Sequence, residues 1–92
     1  MKITFDPGKR ASTLTDRGLD FADAVEVFRG KTLNVADDRH DYGEQRIITA
    51  RLLRGRLVIV VWTPRETGRH VISMRKGNDR EKARFGKRVE ES

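Results

Sequence analysis

The stretch RIITARLLRGRLVIVVWT, residues 46–63, decides the fold. Its first half alternates. Ile48, Ala50 and Leu52 fall on one side, with Arg46 at the head of the same side, which is the pattern of a half-covered strand. Arg54-Gly55 follows and suits a tight hairpin turn. From Leu57 through Trp62 every residue is apolar. A strand apolar on both faces belongs in the middle of a sheet.

Working outward, residues 64–68 make the next turn and 70–75 the last strand. Gly77 then breaks the chain, and Asn78 or Asp79 can cap a final helix to about Val89. Only Ala83, Phe85 and Val89 are apolar in that helix, so it is held loosely or completed by a partner. Upstream, residues 36–43 form a polar loop and 32–35 a short strand. Asp20 caps a helix whose apolar face is Phe21, Ala24, Val25 and Phe28, and Gly30 ends it. Asp6-Pro7 opens an earlier helix over 7–17, stopped by Gly18. Its sparse apolar residues, Ala11 and Leu14, place it on the surface. Residues 2–5 alternate as a first strand. The expected order is β-α-α-β-β-β-β-α. That is an α+β fold, an antiparallel meander with helices gathered on one face.

At 92 residues the chain is expected to be one domain, 1–92, with a thin core. Cysteine is absent, which removes disulfides and thiolate chemistry and points to a reducing, cytoplasmic setting. The start lacks a signal-peptide pattern. The longest apolar run, 57–62, is too short to cross a bilayer, so no membrane role is expected. Twenty Lys and Arg against fourteen Asp and Glu give a net charge of +6. Residues 75–88 alone hold seven basic and two acidic side chains. Such a stripe suits a polyanion, nucleic acid first.

No metal or cofactor is expected. His40 and His70 stand thirty residues apart, and Asp37, Asp38 and Asp41 lack the ligand spacing of a cation loop. What remains is a set of acids, bases and cations: Arg39, His40, Asp41, Tyr42, Glu44 and Arg46 before one strand, and Arg75 and Lys76 ending another. Metal-free RNA cleavage needs a base for the 2′-hydroxyl, cations for the phosphate and an acid for the leaving oxygen. Glu44 or His40 suits the base, and His40, Tyr42 or Lys76 the acid. Arginine's planar fork suits the phosphate. Each has a plainer reading: Glu44 and Arg46 as an exposed pair, Arg75 as an edge cap, Trp62 as core, His70 as surface.

These residues resemble the BrnT family of toxins from bacterial type II toxin–antitoxin pairs. Phe5-Asp6-Pro7 with Lys9 is similar to the family's opening, and Gly18 with Asp20-Phe21 and Ala24 to its second-helix start. Asp38-Arg39-Asp41-Tyr42-Gly43-Glu44-Arg46 is similar to its central motif. Ile72-Ser73-Met74-Arg75-Lys76, with Arg80-Glu81 and Arg84-Phe85, is similar to its C-terminal motif. The resemblance implies a RelE-like fold and a metal-independent endoribonuclease that blocks translation. It also implies a ribbon-helix-helix antitoxin that neutralises the toxin and carries it to operator DNA. By it, Glu44, Arg46, Arg75 and Lys76 form the core site, with His40, Tyr42, Arg80 and Arg84 secondary or RNA-binding. One departure is Asp16-Arg17-Gly18, where the family commonly has Lys-His-Gly. The alternative is therefore a catalytically weak or inactive module that binds nucleic acid or an antitoxin. The catalytic reading requires Glu44 and Arg46 to fold beside Arg75 and Lys76.

Overall fold

A computed structural model describes residues 2–39, 41 and 43–86. In chain order these give β1 (Ile3–Phe5), α1 (Pro7–Arg17), a 3₁₀ turn (Phe21–Asp23), α2 (Ala24–Arg29) and β2 (Leu33–Ala36). Then come β3 (Ile47–Leu53), β4 (Arg56–Arg65), β5 (Gly68–Lys76) and one α-helical turn, α3 (Asp79–Glu81). That turn continues as a π-helical turn, Lys82–Gly86. Val89, the expected end of the last helix, lies outside the described residues.

The sheet order is β1-β5-β4-β3-β2. The apolar run is indeed its middle strand, with Leu57 through Thr63 all buried. β2 through β5 form the antiparallel meander. β1 pairs parallel with β5, so the sheet is mixed rather than wholly antiparallel. Between β3 and β4, Leu53 pairs with Arg56. The two residues between them, Arg54 and Gly55, have φ of 53° and 79°, the left-handed pair that a type I′ hairpin requires.

Asp6 caps α1 by accepting from the Gly8 and Lys9 amides, and Gly18 closes it in the left-handed region. Asp20 caps the 3₁₀ turn rather than α2 itself. Phe21, Ala24 and Val27 are the fully buried side chains here, while Val25 and Phe28 are half-buried. Val27 thus takes the inward place expected of Val25, because a 3₁₀ turn precedes α2 and shifts its phase. The three pack on Val58, Val60, Trp62, Val71 and Met74. Arg51 shares a row with Val58 and donates to the Glu26 and Val27 carbonyls at the end of α2. Trp62 is core, and its indole Nε1 donates to Thr49 Oγ1 at 2.7 Å. Thr49 in turn donates to Asn34 Oδ1 at 2.6 Å.

The opposite face has its own cluster, Ala50, Leu57, Ile59 and Phe85. Residues 57 and 59 alternate with 58 and 60, so this is the reverse side of the sheet. The helical elements are therefore split between two faces. The 3₁₀ turn and α2 pack their apolar residues on the first, and the turn carrying Phe85 covers only part of the second.

β5 contains a bulge. Val61 pairs with Ser73 but Trp62 pairs with Val71, leaving Ile72 as the extra residue. Its effect is to return Val71 and Met74, three apart, to the same buried side.

Phe85 is 7% exposed and Leu14 47%. Phe85→Ala should cost about 3 kcal/mol of unfolding free energy, whereas Leu14→Ala should stay within about 0.5 kcal/mol. Urea midpoints of the two variants check this.

Candidate nucleic-acid interface

The partly covered face carries a cluster of charged side chains. Arg75 pairs with Ile59 and so projects on the side of Phe85. Its two terminal nitrogens donate to the two carboxylate oxygens of Glu81, the second at 2.7 Å. Glu81 is itself placed by a capping box. It accepts from the Asn78 amide at 3.0 Å, and its own amide donates to Asn78 Oδ1 at 2.8 Å. Asn78 rather than Asp79 is therefore the cap. The Arg75 guanidinium holds the Glu81 carboxyl below the usual carboxylate range, against the opposing effect of burial. Arg39, Arg80 and Arg84 join Arg75 and Glu81 around a cleft of about 310 Å³, floored by Ile48 and Phe85.

A second group lies at the other end of the same face. Ile47 pairs with Trp62, so Arg46 stands one step further, level with Thr63. His70 pairs with Thr63, and Thr4 with His70. Thr4, His70, Thr63 and Arg46 thus form a row across four strands. Glu44 lies 3.9 Å from Arg46 and 3.8 Å from Arg65. His70, which sequence reads as plain surface, is half-buried, and its Nδ1 lies 2.8 Å from Thr4 Oγ1. Burial, then the Arg65 cation, pushes its pKa below the ordinary histidine value. Asp37 links the two groups. Its amide donates to the Arg46 carbonyl at 2.8 Å, and its buried carboxylate accepts from Arg39 Nε at 2.8 Å. Arg39 keeps that carboxylate below its usual range.

Glu44 and Arg46 do not meet Arg75 and Lys76, contrary to the expected pocket. β3 and β5 both run antiparallel to β4, so they run parallel to each other, and the start of one cannot lie beside the end of the other. From the Thr63 row to the Ile59 row is four residues, about 13 Å along the strands. Lys76 is exposed at the end of β5 and lines a separate groove of about 610 Å³ with Arg56 and Lys82. Arg80 and Arg84 do join Arg75. His40 and Tyr42 lie outside the described residues. Arg17 donates to the Met74 carbonyl at 3.1 Å, bracing β5 where β1 has already ended. Arg65 and His70 were missed because only the register brings them to Glu44. Among the described residues, no group of three or more His, Cys, Asp or Glu side chains is arranged to hold a metal ion. None of the described helices is long and apolar enough to cross a membrane.

An arginine-lined sheet face backed by helices has the charge that suits a polyanion. Residues 5–81 match the family model for BrnT, the ribonuclease toxin of type II toxin–antitoxin systems. The chain belongs to this family. No curated protein matches it.

Because the folded Glu81 carboxyl is depressed, its contribution to stability is complete above the ordinary carboxylate pKa and is lost as pH falls toward the depressed one. Glu81→Gln should lower the melting temperature near neutral pH. It should also flatten the decline seen below about pH 5. Thermal melts of both proteins from neutral to acid pH test this.

Proposed function

We propose that this chain is a metal-independent endoribonuclease toxin that blocks translation in the cytoplasm when free. A ribbon-helix-helix antitoxin neutralises it, and operator DNA is reached only through that complex. The observation that carries the reading is the clustering of Arg39, Arg75, Arg80 and Arg84 around one cleft on the partly covered face. Four guanidiniums within one concavity suit an RNA backbone, and arginine grips phosphate with two parallel hydrogen bonds. The meander with flanking helices supports the RelE-like assignment. The roughly 13 Å between the two charged groups suits a chain of several nucleotides, with one group anchoring what the other cuts.

A second reading is a binding module with weak or no catalysis. Two observations favour it. Arg75 is already engaged by Glu81, and Arg17, which cannot exchange protons near neutral pH, is committed to a main-chain carbonyl.

Purified, antitoxin-free protein should cut RNA equally well with and without EDTA, and induced expression should arrest growth. Arg39→Ala with Arg84→Ala should weaken RNA binding about equally for all sequences. The same pair should lower the slope of log affinity on log salt by about one per lost phosphate contact. RNA bound with a steep salt dependence but left uncut would favour the binding module. Unchanged affinity in the double variant would remove the cleft from the interface.

A further inference from the structure

We propose that the row at the start of β3 and β5 is the cleavage site, with His70 as the proton acceptor and Arg46 and Arg65 holding one phosphodiester above Thr63. This rests on the ribonuclease reading and names where and how that reaction occurs.

The chemistry needs a group that exchanges a proton near neutral pH. Arginines cannot. Glu81 is locked in a two-pronged pair with Arg75, which makes it a poor base. His70 is the sole histidine among the described residues, and it sits in a built environment. Thr63, buried, separates it from Arg46, with one strand on either side. His70 and Arg46 lie two strands apart, about 10 Å between backbones, near enough for the imidazole and the guanidinium to reach one phosphodiester from opposite sides. Glu44 lies between Arg46 and Arg65 and sets the spacing of the two cations. The charged groups that act on His70 are Arg65, Glu44, Lys9 and Asp6.

Thr4 Oγ1 holds Nδ1 at 2.8 Å. In the tautomer whose Nδ1–H donates to that oxygen, Nε2 carries the lone pair. Neutral His70 then takes the proton of the 2′-hydroxyl, and the 2′-oxygen attacks phosphorus. The P–O5′ bond breaks with its electron pair leaving on oxygen, which takes a proton from water. Arg46 and Arg65 stabilise the charge growing on the phosphate oxygens. The products are a 2′,3′-cyclic phosphate and a 5′-hydroxyl end, and the imidazolium returns its proton to solvent.

His70→Gln keeps a polar side chain of similar reach but has no group that titrates near neutral pH. It should lower single-turnover RNA cleavage by about 10²- to 10⁴-fold. Affinity for an RNA with a 2′-deoxy substitution at the scissile site should change less than threefold. The wild-type rate should rise with pH through the histidine range, and that limb should vanish in the variant. Thr4→Val, which leaves the imidazole in place, should give a smaller rate loss with unchanged affinity and guards against misfolding of the first variant. Circular dichroism checks both folds. Cleavage by His70→Gln at the wild-type rate, or 5′-phosphate product ends, would overturn the site while leaving the ribonuclease reading intact. A wild-type protein that cuts no RNA would overturn both.

Discussion

One extra residue in β5 decides which of its side chains share the partly covered face of the sheet. His70 and Arg75 are five positions apart, and on an unbroken strand they would point to opposite faces. The bulge at Ile72 shifts the alternation by one, and both project on the face that the helices leave partly open. The same shift lets Val71 and Met74 both enter the core against Phe21, Ala24 and Val27. A single irregularity thus serves packing on one side and places cation and imidazole on the other. Bulges favour such functional positions because they re-aim side chains without ending the strand.

The uneven cover of the sheet explains why the charges are where they are. The 3₁₀ turn and α2 lay Phe21, Ala24 and Val27 on the first face as a contiguous apolar layer, and buried polar groups there have partners, such as Thr49 and the Trp62 indole. The second face has only Phe85 and its neighbours over Ala50, Leu57 and Ile59. Beyond that patch the strands are free to carry Arg46, His70, Asp37 and Arg75. The Arg75–Glu81 pair ties the covering turn to the strand it covers, so the edge of the apolar cover is also the edge of the arginine cleft.

Much of this was legible in the sequence, and what was not has a physical cause. The unbroken apolar run at 57–62 marked the central strand, Asp6-Pro7 and Gly18 bounded α1, and Arg54-Gly55 gave the hairpin, since each rests on local stereochemistry. The charged groups were legible as residue types but not as a site. Glu44 and Arg46 were expected beside Arg75 and Lys76, yet strand direction separates them. His70 and Arg65 carried no local signal, because their nearness to Glu44 depends on pairings across β1, β5, β4 and β3. β1 was recognisable as a strand, but its parallel place beside β5 follows from a crossover through both N-terminal helices, which no short window contains. The 3₁₀ start before α2 likewise moved Val27 inward, against the simple helical count.

The Trp62–Thr49–Asn34 chain spans three strands from the buried middle to the outer edge. Edge strands are prone to slippage, since a one-residue slip in pairing costs few contacts there. Here such a slip would swing Asn34 to the far face and strand the Thr49 hydroxyl without its acceptor. An indole in the core therefore keeps watch over the alignment of β2, and through Asp37, just beyond its end, over where Arg39 reaches. A methyl in place of the Thr49 hydroxyl would preserve the shape of the strand and still loosen the distant arginine.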